Sequence, residues 1–132
     1  SPLINFEANM KKPFKLSETE LQIMNTLWQL PEPSSLKEIM DFLNERLNKS
    51  WKQQTVGTYL SHLEQAGLVS VDKRFARLHL YFPACTKEEY MQNYLKNLVE
   101  TSFDNSIANL VAAFTGGQKL SEKDSEEIRK LI

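Results

Sequence analysis

The sequence has little of several features that would assign a class quickly. Its single cysteine, Cys85, cannot form an internal disulfide and has no second thiol with which to hold a metal ion. No apolar run approaches the length of a membrane span, and no basic start with an apolar centre marks a signal peptide. We therefore expect a cytoplasmic protein with no membrane partner, in which Cys85 is a structural or exposed thiol and not a redox switch.

Signatures of catalysis are also missing. The four glycines form no phosphate-binding loop, and no nucleophile has a base at motif spacing. His62 is interpreted as a surface polar residue, and His79 has no Cys, Asp or Glu beside it at metal-ligand spacing. The sequence therefore predicts a protein that is not an enzyme and that has neither a cofactor nor a metal site.

An excess of charge of either sign is missing too, because 16 Lys and Arg residues nearly balance 17 Asp and Glu residues. The net charge of −1 gives no support by itself to nucleic-acid binding. The distribution is more informative, because cations outnumber acids between positions 49 and 77. The residues concerned are Lys49, Lys52, Lys73, Arg74 and Arg77 against Glu64 and Asp72. This local excess favours contacts with phosphates.

A chain of 132 residues, 41% of them hydrophobic, can form one compact domain or one domain with an appendage. The chain does not begin with methionine, and Met10 followed by two lysines resembles a natural start. We expect residues 1–9 to be a leader that carries no function.

Two helix starts can be identified from their capping residues. Ser17 with Glu20, and Ser35 with Glu38, have the spacing of capping boxes, in which each side chain bonds the other residue's backbone amide. Apolar residues then recur at helical spacing. They are Leu21, Met24, Leu27 and Trp28 after the first box, and Ile39, Phe42, Leu43 and Leu47 after the second. Two amphipathic helices are predicted.

The stretch 51–67 predicts a third helix with two different faces. Val56, Leu60 and Leu63 form an apolar side, and Gly67 stands where the helix should stop. The opposite side has mostly uncharged hydrogen-bonding groups. They are Gln53, Gln54, Thr55, Thr58, Ser61 and His62. Such side chains can recognise base edges, since Gln pairs with adenine and Thr contacts thymine. The alternative is an ordinary polar surface helix.

After Gly67 the pattern changes to that of strands. Residues 68–71 and 78–82 are rich in β-branched or aromatic groups, and residues 72–77 would link them as a hairpin with a basic tip. Three helices followed by a hairpin is the order of a winged helix-turn-helix domain, which we expect over residues 10–83. We assign Gln53, Gln54, Thr55, Thr58 and Ser61 to base or groove contacts, and Lys52, Lys73, Arg74 and Arg77 to phosphates. A solvated turn is the alternative for the tip.

Residues 84–132 predict short amphipathic helices, one capped by Thr86, one ended by Gly116 and Gly117, and one capped by Ser121. So short a segment rarely has a core that supports itself, and oligomerisation is one remedy. We expect a helical dimerisation domain, with packing on the winged domain as the alternative. The proposed dimer residues are Tyr90, Tyr94, Leu98, Phe103, Ile107, Leu110, Val111, Phe114, Ile128 and Leu131.

These features together resemble the penicillinase repressor family. The residues that carry the resemblance are 16–20, Met24, Leu27–Trp28, 51–56, Thr58, Leu63 and Gly67–Leu68, and in the tail 103–111, Leu120–Ser121 and 126–128. It implies a mainly α (α+β) protein, a homodimeric transcriptional repressor that binds a palindromic operator in double-stranded DNA. It also implies release by an inducer, either copper or a sensor-linked protease in a β-lactam response, and hence a role in antibiotic resistance.

The two inducers require different residues. Copper-responsive members have paired Cys-x-Cys motifs, which this sequence lacks, so direct copper sensing by that route is disfavoured. The resemblance matches the family's cleavable Asn-Phe bond to Asn97–Leu98. Better-known members carry Lys or Arg at the positions of Gln54, Gly57 and His62, so a different operator is implied. Two alternatives stay open: a winged helix that binds another protein, and a repressor with a different inducer.

Overall fold

The computed structural model describes residues 15–132, so the predicted leader at 1–9 and the start at Met10 lie outside the described residues. The elements are α1 (Glu18–Gln29), β1 (Ser34–Ser35), α2 (Leu36–Leu47), α3 (Gln53–Gln65), β2 (Val69–Phe75), β3 (Leu78–Pro83), α4 (Lys87–Ser102), α5 (Ile107–Thr115) and α6 (Glu122–Arg129). The predicted α+β winged-helix fold is confirmed. One compact unit ends at Tyr94 and the second comprises Leu95–Ile132, so α4 contributes to both.

Both predicted capping boxes are present. The Ser17 hydroxyl accepts from the Glu20 amide at 3.2 Å, and the Glu20 carboxylate accepts from the Ser17 amide at 2.9 Å. At the start of α2, Ser35 and Glu38 make the same two bonds, at 3.1 and 3.0 Å. A cap of this kind contributes about 1 kcal/mol to helix stability. Local sequence therefore defines where α1 and α2 begin.

The core of the first unit lies between its three helices and the sheet. Its fully buried side chains are Ile23, Met24, Leu27, Ile39, Leu43, Val56, Leu60, Leu63 and Leu68. The predicted stripe of α1 omitted Ile23, although that residue is completely buried, because α1 packs against several elements and buries more than one stripe. In α2 the predicted Phe42 is only half-buried, and the Arg46 guanidinium lies 5.0 Å from its ring centroid.

The sheet is antiparallel with strand order β1-β3-β2. Strand β1 was not predicted, because its two serines have no apolar or β-branched side chains. The prediction that residues 72–77 form the hairpin link is wrong. Strand β2 continues to Phe75, and only Ala76 and Arg77 form the turn. Backbone pairing extends the strand through charged residues that carry no alternating apolar pattern.

Two hydrogen bonds join α2 to the segment that leads into α3. The Asn44 amide group donates to the Trp51 carbonyl at 3.0 Å, and the Trp51 amide donates to the Asn44 side-chain oxygen at 2.8 Å. Between them Asn48 ends α2 in the left-handed conformation, with φ of 52°. The Trp51 ring stacks on Tyr59 of α3, with centroids 5.8 Å apart. These contacts together set the direction of α3 relative to α2.

The first turns of α4 belong to the core of the first unit. The Trp28 indole donates to the Cys85 carbonyl at 2.9 Å, and its ring lies 5.9 Å from that of Tyr90. Because Tyr90 is only 4% exposed, its predicted place on a dimer surface is wrong, and its stacking partner Tyr94 also packs on this core.

Burial, and then the nearby Glu89 carboxylate, raises the pKa of the Cys85 thiol to about 12, so Cys85 is a protonated, buried thiol at neutral pH.

The second unit has well-defined helix ends but no buried side chain. Ser106 and Ser121 cap α5 and α6 by accepting first-turn amides, and Gly116 ends α5 with φ of 66°. No residue of Leu95–Ile132 is buried. Leu131 was predicted on the last helix but lies beyond its end at Arg129. None of the helices within residues 15–132 is both long and apolar enough to cross a membrane.

Gly57 offers a stability test of α3. A Cβ atom added there would lie 3.8 Å from Leu36 Cδ2, an ordinary contact. Since glycine in a helix interior is less favourable than alanine by about 1 kcal/mol, Gly57→Ala should raise the free energy of unfolding by about that amount. Urea unfolding followed by circular dichroism measures it. As a matched control, Gly116→Ala should be destabilising because Gly116 has positive φ. A loss of stability in Gly57→Ala would contradict the packing described.

Candidate nucleic-acid interface

Helix α3 separates a buried side from an exposed polar side. Val56, Leu60 and Leu63 are completely buried against α1, α2 and β2. The five residues assigned to base contacts are all exposed, and they are Gln53, Gln54, Thr55, Thr58 and Ser61. The structure therefore brings these side chains together on one accessible helix surface.

The Thr58 hydroxyl already makes one hydrogen bond within α3. It donates back to the Gln54 carbonyl at 3.0 Å. The hydroxyl hydrogen is therefore occupied, while the oxygen can still accept and the methyl group is free to make apolar contact. Thr58 can accept from an adenine or cytosine amino group, or contact a thymine methyl group.

The start of α3 differs from the other helix starts. Lys52 is its N-cap residue and makes no side-chain cap hydrogen bond. A lysine there is unfavourable, because the helix dipole makes its N-terminus the positive end. First-turn amides and the Lys52 ammonium group thus occur together at an exposed place where an anion would be favourable.

A glycine in the interior of α3, such as Gly57, would let the helix backbone approach DNA closely if it lay on the exposed side. The side chain that glycine lacks would contact Leu36 of α2. The space it leaves is thus on the α2 side of the helix and not among the exposed polar residues, which argues against that interpretation.

Two of the predicted phosphate-binding cations on the hairpin are engaged within the protein. The Arg74 guanidinium makes a two-pronged contact with the Asp72 carboxylate, with its shortest N–O distance at 2.7 Å, and these hydrogen bonds lower the pKa of Asp72. The Lys73 ammonium lies 3.2 Å from the Glu64 carboxylate of α3. For Arg77, in the turn, no ion pair forms with any of residues 15–132. Arg77 is thus the hairpin cation most directly available to a phosphate.

A groove of about 430 Å³ lies between the starts of α2 and α3 and the hairpin. It brings together two predicted contact residues, Gln53 and Arg77, from distant parts of the sequence. Its other lining residues are Ser35, Leu36, Lys37, Ala76, Leu78, His79 and Tyr81. Lys37 was not among the predicted contact residues, and His79 was considered only as a metal ligand. The position of Lys37 in the first turn after a predicted capping box was the feature from which its place beside the start of α3 could have been inferred.

The proposed dimer residues of the second unit are half-buried or exposed. Ile107 is 71%, Phe114 87% and Leu131 83% exposed, and Ile128 is also exposed. The half-buried members of the set are Leu98, Phe103, Leu110 and Val111. Asn97 and Leu98 lie inside α4, where the Asn97 carbonyl also accepts from the Thr101 hydroxyl at 2.9 Å. Among residues 15–132, no group of three His, Cys, Asp or Glu could hold a metal ion.

Comparison with known proteins identifies a family. A family model described as the penicillinase repressor matches residues 16–132. The penicillinase repressor of Bacillus licheniformis is 21% identical over 123 residues, covering 93% of both chains. The family match includes the polar helix, the hairpin and the exposed C-terminal helices.

The Asp72–Arg74 pair can be tested by Asp72→Asn. Asparagine keeps one oxygen for the Arg74 backbone amide, which donates to Asp72 at 3.0 Å, but removes the charge that holds the guanidinium. Arg74 is 79% exposed and would then be free to bind a phosphate. We expect tighter binding to duplex DNA and a slope of log affinity against log salt that is steeper by about 0.9. Fluorescence anisotropy across salt concentrations measures both.

The control for this variant is Glu126→Gln, which removes the same charge from an exposed pair with Arg129 in the second unit. If both variants change affinity and slope equally, only net charge matters and the pair does not restrain Arg74.

Proposed function

Because the chain belongs to the penicillinase repressor family, whose members are transcriptional repressors and not enzymes, we propose that it represses transcription as a homodimer on a palindromic operator. The observation that supports this proposal is that one side of α3 exposes uncharged hydrogen-bonding groups, while the apolar side is completely buried. Such a surface suits a helix that enters the major groove. We place this activity, and its double-stranded DNA target, in the cytoplasm on the basis of the family.

Sequence recognition is assigned to the exposed side chains of α3. Gln53 and Gln54 can each pair with adenine through two hydrogen bonds, and each good pair discriminates by roughly 1–3 kcal/mol. Thr55, Thr58 and Ser61 supply single hydrogen bonds and, for the threonines, a methyl group for thymine. The absence of charge on these groups favours discrimination between bases over general attraction to DNA.

Orientation on the duplex is assigned to the cations around α3. Lys52 and the uncapped first turn of α3 suit one phosphate, because an anion there offsets the unfavourable position of the lysine. Arg77 suits a second, and it lines the same groove as Gln53. To contact phosphates, Lys73 would have to leave Glu64, and Arg74 would have to leave Asp72. The internal pairs thus keep non-specific affinity low.

Dimerisation is supported by the second unit, in which no side chain is buried. Helix α5 is apolar along much of its length and leaves Ile107 and Phe114 largely exposed. A second copy of the chain could cover this surface. A two-fold dimer would also present two α3 helices to half-sites, for which the spacing is about 34–36 Å or a multiple of it.

Release of the repressor is proposed to follow the family's proteolytic route, through a sensor-linked protease that cuts at Asn97–Leu98. The bond lies in the interior of α4, so cleavage requires that part of the helix to open. Separating the end of α4, residues 98–102, and all of α5 and α6 from the DNA-binding unit would abolish the dimer. A repressor with a different inducer remains the alternative.

The operator hypothesis predicts different results for Thr58→Val and Arg77→Ala. Thr58→Val keeps the shape and methyl group but loses the hydroxyl oxygen, so it should change preference among operators by about fivefold or more. Arg77→Ala should weaken binding to all sequences alike and reduce the salt slope by about 1. Gel shifts of the full chain against its own promoter and a scrambled duplex, across salt concentrations, measure both. The absence of wild-type binding in low salt would contradict the proposal.

The dimer hypothesis predicts that Phe114→Ser dissociates the protein. Phe114 is 87% exposed on α5, and burying a phenylalanine contributes about 1.5–3 kcal/mol for each copy. We expect a wild-type dimer and a variant monomer in sedimentation velocity at micromolar concentration. Phe75→Ser is the matched control, because it makes the same change at a residue that is 58% exposed on the hairpin and should leave the dimer intact. Equal behaviour of the two variants would contradict the assigned surface.

A further inference from the structure

A cavity of about 570 Å³ lies between the end of α1 and the segment that leads from β3 into α4. Small organic ligands occupy cavities of roughly 300–1,000 Å³, so this one is large enough to hold such a molecule. All of its lining residues belong to the first compact unit. Its aromatic lining residue is Trp28, and its charged ones are Glu32, Lys87, Glu88 and Glu89. We call it the α1–α4 cavity.

The Glu89 carboxylate does not make the bond that its sequence position favours. Glu89 follows Thr86 by three residues, and its amide donates to the Thr86 hydroxyl at 3.0 Å. The same spacing in α1 adds a return bond, in which the Glu20 carboxylate accepts from the Ser17 amide at 2.9 Å. In α4 the Glu89 carboxylate makes no return bond to the Thr86 amide. This carboxylate is therefore available for another donor.

One oxygen of that carboxylate is enclosed by the protein. Oε2 of Glu89 has no donor within hydrogen-bond distance among residues 15–132, and an enclosed acceptor without a donor is unfavourable. The helix dipole favours acidic residues in a first turn, which accounts for the exposed Glu88 but not for the enclosure of Glu89. Because Glu89 lines the cavity and rotation about its last side-chain bond exchanges its two oxygens, a donor in the cavity can reach the carboxylate.

The charges of the α1–α4 cavity favour a cation. Three carboxylates, of Glu32, Glu88 and Glu89, line it together with one ammonium group, that of Lys87. None of these four groups forms an ion pair with any of residues 15–132. Lys87 is exposed, so solvent screens its charge, whereas Glu89 is half-buried. The half-buried ring of Trp28 supplies a wall against which a hydrocarbon chain or a cation can pack.

We propose that the α1–α4 cavity binds a small organic cation, namely a primary ammonium group on a short hydrocarbon chain. The ammonium group donates to the Glu89 carboxylate, and the chain lies along Trp28. With three donors, the ammonium group can also contact Glu32 or Glu88. A metal ion is less favoured, because no group of three His, Cys, Asp or Glu within residues 15–132 could hold one. The site is independent of the proposed operator binding, since it shares no lining residue with the groove beside α3.

The first test locates the ligand by NMR on the full-length chain. The probe is n-butylamine, with 1-butanol as its neutral counterpart and butyrate as an anionic one. The two tryptophan indole N–H groups give separate signals, and only Trp28 lines the cavity, whereas Trp51 precedes α3. We expect n-butylamine to shift the Trp28 signal in a saturable manner and to leave the Trp51 signal unchanged. The other two probes should bind about tenfold more weakly or less.

The second test removes the charge of the proposed partner. Glu89→Gln keeps the size of the side chain, so the affinity for n-butylamine should fall about tenfold while that for 1-butanol stays the same. Glu127→Gln is the matched control, because it removes the same charge from an exposed residue of α6 that does not line the cavity. It should leave both affinities unchanged. Isothermal titration calorimetry measures them.

Circular dichroism without any probe shows whether Glu89→Gln folds. If it does not, Glu32→Gln replaces it, because Glu32 is exposed and lies outside the helices. The loss of this more solvated charge should lower the affinity for n-butylamine by about threefold.

The possible results are distinct. A saturable shift of the Trp28 signal, together with weaker binding in Glu89→Gln but not in Glu127→Gln, supports the site. Equal binding of n-butylamine and 1-butanol, tighter binding of butyrate, or an unchanged Trp28 signal would overturn it. If Glu127→Gln weakens binding as much as Glu89→Gln, net charge alone attracts the amine and the site is again wrong. None of these results bears on operator binding, which the gel shifts test separately.

Discussion

The two hydrogen bonds between the Asn44 side chain and the backbone of Trp51 determine how α3 is presented. They connect α2 to the residue just before α3 at 3.0 and 2.8 Å, across a turn in which Asn48 has positive φ. One side chain satisfies both backbone groups of Trp51, so the turn needs no further secondary structure. The ring of Trp51 then stacks on Tyr59, nearly two turns into α3. These bonds therefore give the exposed polar residues of α3 a defined position relative to α2.

Much of the fold followed from the sequence because its signals are local. The capping boxes at Ser17 and Ser35 and the apolar spacing of Val56, Leu60 and Leu63 are all readable within one or two helical turns. The order of three helices and a hairpin then leaves few topologies open. The exposed polar surface of α3 could be predicted for the same reason, since helical periodicity assigns each residue to a face.

The parts that sequence could not provide depend on partners that are distant along the chain. Strand β1 exists because Ser34 and Ser35 pair with Tyr81 and Leu80, and nothing in two serines indicates a strand. Tyr90 had the spacing of an apolar helical stripe and was assigned to the dimer surface. In the structure it contacts Trp28 and the Leu16 amide and lies in the core of the first unit. The engagement of Lys73 by Glu64 was equally unpredictable, because it requires knowing that the hairpin lies along α3.

Among the described helices, α3 alone begins without a hydroxyl that accepts a first-turn amide. The other helices carry their own nucleation signal, whereas the start of α3 depends on tertiary contacts. The first turn of α3 should therefore fray more readily than the first turns of the other described helices. Under the proposed function, a substitution in the interior of α1 or α2, which contacts no DNA, weakens repression by increasing the fraction of molecules in which the first turn of α3 is frayed.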